Sequence, residues 1–189
     1  MVIKIDVDGV IRNISNPMCD LFNELTGSNM TPEDIRQYDV EKAFRVEGKF
    51  PGATSAADYF FNVNAERVFG AGNKYGIYPG ADEAIRMLRK DGYEIIICTW
   101  QTTLKNKIMT LEFLDSHGIE YDDIMFTRDK WRVAGDIIVD DNPEFLLDSR
   151  EEAYPLIIDM PYNRKKSLAD MDRFGSLMEV VMEILKEER

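Results

Sequence analysis

Val2-Ile3-Lys4-Ile5-Asp6-Val7-Asp8-Gly9-Val10 is a β-prone apolar run that ends in two carboxylates two positions apart and a glycine. Val and Ile favour the extended chain, and the run has the length of one buried strand. Acid leaving such a strand costs free energy unless it has a task. In an open α/β sheet the carboxyl ends of the strands line the ligand crevice, so Asp6 and Asp8 are candidate active-site groups.

Further apolar runs occur at residues 93–99, 124–126, 136–139 and 155–158. Helical periodicity lies between them. Residues 81–90 carry Ala84, Ile85 and Leu88 ahead of Gly92, and residues 103–117 carry Ile108, Leu111 and Leu114 ahead of Gly118. A last amphipathic helix is expected from Ser176, whose spacing to Glu179 suits a capping box. Strands alternating with helices predict an α/β fold: a doubly wound, mostly parallel, Rossmann-like sheet.

Residues 16–76 break the alternation. They hold helix starts at Asn16-Pro17, at Thr31-Pro32-Glu33-Asp34, and at Thr54-Ser55 ahead of residues 56–68, but no buried-strand run. This length is too great for a loop in a compact domain. It predicts a small helical cap inserted after the first strand, with residues 1–15 and 77–189 as the core. The Gly-rich stretch 70–76 has neither the spacing nor the preceding strand of a dinucleotide fingerprint, and a hinge is the expected role.

At 189 residues and 44% hydrophobic composition the chain fits one domain with an insertion. A net charge of −12 argues against an extended nucleic-acid surface, since phosphate contacts are made by Lys and Arg. Arg164-Lys165-Lys166 is the only run of three cations. No stretch approaches the ~18 apolar residues of a membrane span. Lys4, Asp6 and Asp8 interrupt any secretory h-region, so a cytoplasmic protein with no membrane contact is expected. Cys19 and Cys98 form no disulfide framework.

Three other strand ends carry chemistry. The second finishes at Thr99-Trp100, offering a hydroxyl and a following helix N-terminus that suit a phosphate oxygen. After the third comes Thr127-Arg128-Asp129-Lys130, which brings cations to the same edge. The fourth ends Asp140-Asp141-Asn142-Pro143, where Asn142 can cap the next helix and two carboxylates are left over. Four acids at one low-dielectric edge repel one another, and a divalent cation resolves this. An all-oxygen donor set points to Mg²⁺, not zinc. His117, beside a helix-stop glycine, leaves Ser-His and Cys-His catalysis without a base, whereas a carboxylate nucleophile needs none.

Asp6-Val7-Asp8-Gly9-Val10, Thr99, Lys130 and Asp140-Asp141 resemble, in order, the four motifs of the haloacid dehalogenase-like phosphohydrolases. Within that superfamily the chain resembles the 5′(3′)-deoxyribonucleotidase family. The likeness rests on residues 126–130, on 134–143, and on Asp159-Met160-Pro161-Tyr162-Asn163-Arg164. Thr99-Trp100-Gln101 stands where that family carries Thr-Ser-Pro, and Ile14 replaces an aromatic residue. The receiver modules of signalling proteins, which also combine acids, Thr and Lys, keep the acceptor Asp on a middle strand, and this chain has none there.

The resemblance implies that Asp6 is the nucleophile and Asp8 the acid and base, with Thr99 and Lys130 on the phosphoryl oxygens and Arg128 touching substrate. It implies Mg²⁺ held by Asp6, the Asp8 backbone carbonyl and Asp141, with Asp140 in support through water, and a homodimer. The expected reaction is hydrolysis of a small phosphomonoester, a (deoxy)nucleoside monophosphate. The same mechanism on a sugar phosphate, another small metabolite or a polynucleotide end is the alternative. Specificity is expected in the cap, where Phe44, Phe50, Tyr59, Phe60 and Phe61, with Trp100 from the core, either stack a nucleobase or form the cap's own core.

Overall fold

Side chains alternate across a strand, so Ile3 and Ile5 of β1 (Val2–Ile5) face one side of the sheet and Lys4 the other. The structure, a computed structural model, describes residues 1–164 and 171–187. Lys165 and Lys166 of the cationic run lie outside the described residues. β1 sits in a six-stranded sheet with β2 (Glu94–Thr99), β3 (Asp123–Phe126), β4 (Ile137–Asp140), β5 (Tyr154–Ile158) and β6 (Asp172–Phe174). The order is β3-β2-β1-β4-β5-β6 and every neighbouring pair is parallel. This is the expected doubly wound α/β sheet. β6 escaped the reading of apolar runs because it is a three-residue edge strand, two of whose residues are charged.

Helices cover both faces. Ile3, Ile5, Ile95, Ile97 and Val139 pack with α5 (Ala81–Lys90) and α8 (Leu177–Glu187), while Ile138 and Ile157 pack with Leu146 of α7 (Pro143–Asp148). α5 buries Ala81, Ala84, Ile85 and Leu88, the expected stripe. Ser176 accepts from Glu179 N–H at 3.2 Å ahead of α8, and the Glu179 carboxylate reaches back to Gly175 N–H at 2.7 Å. Asn142 caps α7 through Glu144 N–H at 2.9 Å.

α6 (Leu104–Ser116) departs from expectation: Ile108 and Leu111 are exposed, and the buried face carries Asn106, Met109, Thr110, Phe113 and Leu114. Two polar residues are buried there because their partners lie deep in the molecule. Asn106 Nδ2 donates to Phe61 O at 3.0 Å, and Thr110 Oγ1 accepts from Arg12 at 3.0 Å.

Between β1 and α5 lie α1 (Ser15–Thr26), α2 (Val40–Ala43), α3 (Ala56–Asp58) and α4 (Ala65–Phe69), with no strand among them. Their apolar faces form a second cluster around Phe22, Phe44, Phe60 and Phe69. The continuous helix expected over residues 56–68 is broken by a wide π-turn at Tyr59–Val63, where Asn64 N–H and Nδ2 both donate to Tyr59 O at 3.0 Å. Thr31 opens only a single 3₁₀ turn, Pro32–Asp34. In the Gly-rich stretch, buried Asn73 donates to Asn13 O and Val68 O, both at 3.0 Å, tying it to both neighbours. Among the described residues no helix is long and apolar enough to cross a membrane.

Candidate active site

The chain order reverses at β1, whose neighbours β2 and β4 lead away in opposite directions, and such a switch point opens a crevice at the carboxyl ends of the strands. Asp6 follows β1 directly and its N–H donates to Val139 O at 3.0 Å, so it stands beside Asp140, the last residue of β4, and Asp141. Lys130 enters from the turn after β3, almost fully enclosed. Its Nζ lies 2.9 Å from Asp6 Oδ1 and 2.6 Å from Asp140 Oδ2. The other Asp140 oxygen accepts from Asn142 N–H at 2.8 Å.

One oxygen each of Asp6, Asp140 and Asp141 lies within 4.8 Å of the others. Asp6 and Asp140 share the Lys130 ammonium, and the crowding of charge shows in the titration of Asp6 and Asp141. Burial pushes Asp6 up to about 7; Lys130 pulls against this, and Asp140 and Asp8 add to it. Burial and then Asp140 and Asp6 hold Asp141 well above the usual carboxylate range. Burial alone would depress Lys130, but Asp140 and Asp6 outweigh it and keep the ammonium charged. An all-oxygen set with surplus negative charge fits a hard divalent cation such as Mg²⁺.

Asp141 is held both by its carboxylate and by its backbone carbonyl. The Tyr162 hydroxyl donates to Asp141 Oδ2, and Asn163 Nδ2 donates to Asp141 O and Ile158 O, both at 2.8 Å. Arg173 of β6 in turn holds Asn163 Oδ1 at 2.6 Å and Asp159 at 2.9 Å. The Pro161-Tyr162-Asn163 turn is thus a scaffold for Asp141, a role not legible in its sequence. Across from it, Gly9 has φ +85°, and a Cβ there would lie 2.5 Å from Asp141 Oδ2, so both conformation and space require glycine.

Asp8 stands apart from this cluster. Its Oδ1 accepts from Arg12 Nε at 2.7 Å and its Oδ2 from Gln101 Nε2 at 2.6 Å. Neither partner was singled out from sequence. Buried Lys4, also unforeseen, donates to Val133 O at 2.9 Å and Lys130 O at 3.3 Å, fastening the turn that presents Lys130.

A cavity of about 620 Å³ opens between the strand ends and the segment after β1. Asp6, Asp8, Thr99, Lys130 and Asp141 are in its wall. Thr99 is buried at the end of β2, and capping of α6 falls to Thr103, which accepts from Asn106 N–H at 3.1 Å. Trp100 lines the cavity and is half-exposed. Arg128 is exposed, stacks 5.4 Å from the Trp100 ring and is not part of the wall. Phe60 is fully enclosed, 4.8 Å from Phe44, whereas Phe44 and Phe61 reach the cavity. Tyr38, whose only signal is an aromatic ring within the polar stretch Arg36-Gln37-Tyr38-Asp39, lines it too, edge-on to Tyr162 at 5.7 Å.

The chain is similar to known proteins along most of its length. A protein of Bordetella pertussis named "Putative 5′(3′)-deoxyribonucleotidase" is 25% identical over 176 residues, 88% of each chain. One of the same name from Bordetella bronchiseptica is 27% identical over 177 residues, again 88% of each. Among solved structures, a "putative haloacid dehalogenase-like hydrolase" from Burkholderia xenovorans superposes with a TM-score of 0.59 at 13% identity, covering 100% of this chain and 98% of that one. The D,D-heptose 1,7-bisphosphate phosphatase of B. bronchiseptica, solved with magnesium and phosphate, gives 0.53 at 14% identity over 98% of both chains. The model of the 5′ nucleotidase, deoxy (Pyrimidine), cytosolic type C protein family matches residues 1–188 of the 189. With its haloacid dehalogenase-like fold and that match along its length, the chain belongs to this nucleotidase family and is a phosphatase.

Proposed function

We propose that the chain hydrolyses (deoxy)nucleoside monophosphates in the cytoplasm through an aspartyl-phosphate, with Asp6 as nucleophile and Asp8 as acid and base. Residues 16–76 act as a helical cap over the core formed by residues 1–15 and 77–189. The observation that supports this reading is that Asp6 lies in the cavity wall 2.9 Å from Lys130.

Asp6 attacks phosphorus while Asp8 gives its proton to the departing ester oxygen, and Asp8 then takes a proton from the water that cleaves the aspartyl-phosphate. Lys130 and Thr99 bind phosphoryl oxygens, and they act from fixed positions. Asp6, Asp141 and the Asp8 carbonyl would hold Mg²⁺, supported by Asp140. When bound there, the ion supplies the positive charge that lets one anion approach another. Trp100, Phe61 and Tyr38 give the cavity aromatic faces on which a base can stack, and Arg128 supports Trp100 from outside.

The test is phosphate release from deoxy- and ribonucleoside monophosphates, sugar phosphates and a 3′-phosphorylated oligonucleotide, with and without Mg²⁺. Mg²⁺-dependent turnover, best on deoxynucleoside monophosphates, is expected. A preference for a sugar phosphate by about tenfold, equal to about 1.4 kcal/mol in the transition state, overturns the nucleotidase reading and leaves the mechanism standing.

A further inference from the structure

Arg12 is fully enclosed, and each of its three nitrogens is committed. Nε donates to Asp8 Oδ1 at 2.7 Å, Nη1 to Phe69 O at 2.8 Å, and Nη2 to Thr110 Oγ1 at 3.0 Å. The guanidinium lies between the rings of Phe69 and Phe113, at 4.9 and 5.0 Å. Asp8 is the only carboxylate among these partners. A guanidinium keeps its charge when buried, so without Asp8 it would be an unpaired ion in an apolar pocket. The Arg12–Asp8 contact is therefore the fixed one.

Gln101 differs in kind. It is neutral, stands in the cavity wall, and holds the other Asp8 oxygen at 2.6 Å. Giving up that bond to a substrate oxygen leaves no unpaired ion behind, because the amide is neutral.

We propose that Arg12 is the positioning residue for proton transfer: it anchors Asp8 by Oδ1, so that Oδ2, held by Gln101 at rest, is the oxygen that exchanges the proton with the leaving group and then with water. The inference rests on the assignment of Asp8 as acid and base. In the first step the Asp6 O–P bond forms, the P–O bond to the leaving group breaks, and its electron pair takes the proton from Oδ2. In the second, water gives a proton back to Oδ2 as its oxygen bonds phosphorus and the Asp6 O–P bond breaks. By also gripping Phe69 O at the end of α4, Arg12 sets the Asp8 carboxylate and the rear of the inserted segment with one side chain.

The experiment compares wild type, Arg12→Met and Arg12→Lys on a deoxynucleoside 5′-monophosphate, whose alkoxide needs a proton, and on p-nitrophenyl phosphate, whose leaving group does not. For Arg12→Met, kcat on the nucleotide falls about 10²-fold further than kcat on the aryl ester, with KM little changed. Arg12→Lys recovers part of the difference, because it keeps the charge but not the three-way grip. Equal losses on the two substrates, or no loss, overturn the proposal. Thermal melts accompany each variant. If Arg12→Met does not fold, Thr110→Val loosens the same guanidinium and is expected to show a smaller bias of the same sign, and equal losses there overturn the proposal as well. A wild type that releases phosphate from neither substrate overturns the underlying assignment instead, and the inference with it.

Discussion

Lys130 Nζ lies 2.9 Å from Asp6 Oδ1, and both residues are buried in the cavity wall. With Asp140 at 2.6 Å on its other side, this ammonium is the counter-charge for two buried acids as well as a candidate phosphate ligand. Lys130→Met leaves both carboxylates unpaired. Removing one member of a buried pair costs about 3–5 kcal/mol, so denaturant unfolding should show a loss of that order. Turnover should fall about 10²–10³-fold, as when a fixed donor to the transition state is lost. A variant of unchanged stability would show that Asp6 and Asp140 are solvated after all.

Asp6→Asn is expected to abolish turnover, because an amide is neither a competent nucleophile nor a good ligand for Mg²⁺. The measurement is acid-stable trapping of labelled phosphate on the protein beside steady-state release. Label on the variant, or activity near wild type, would rule out Asp6 as the attacking group.

The acids and Lys130 were legible in sequence because each leaves, or follows within a few residues of, an apolar strand, and that pattern is local. What was not legible depends on partners far along the chain. Lys4 reads as a stray charge in a strand until the carbonyls of Lys130 and Val133 arrive above it. Ile108 and Leu111 look like the core stripe of α6, yet Asn106 and Thr110 take the buried face because Phe61 O and Arg12 need them. Gln101, a departure from the family pattern, holds Asp8. No spacing rule reports such contacts, since their sequence separation is 98 residues for Arg12 and Thr110 and 129 for Lys4 and Val133.

Tyr162→Phe should weaken Mg²⁺ binding. The hydroxyl donates to Asp141 Oδ2 and fixes the direction of the remaining oxygen, and loss of an orienting partner typically costs 10–100-fold in metal affinity, about 10-fold being expected here. Calorimetric titration of Mg²⁺ into the variant reads this directly, without recourse to activity. Unchanged affinity would mean that Asn163 alone orients Asp141.

Without a bound metal, stability should fall as pH rises between about 5 and 8. Burial, against the pull of Lys130, lifts Asp6 to about 7, and burial with Asp140 and Asp6 lifts Asp141 as well. In the unfolded chain such groups titrate near 3.8, so across this window the folded state holds protons that the unfolded state has released. The stabilisation is complete below the unfolded value and is lost as pH passes the folded one. Acids held below their usual range, such as Asp159 beside Arg164 and Arg173, act with the opposite sign, but only at lower pH. Mg²⁺ held there as proposed takes the ionised carboxylates, so its stabilising effect should grow with pH, reaching about 2.7 kcal/mol at a hundredfold excess over Kd. Melting curves in chelator and in Mg²⁺ at pH 5 and pH 8 test this. An equal shift by Mg²⁺ at both values would show that the ion does not bind at the Asp6–Asp141 cluster.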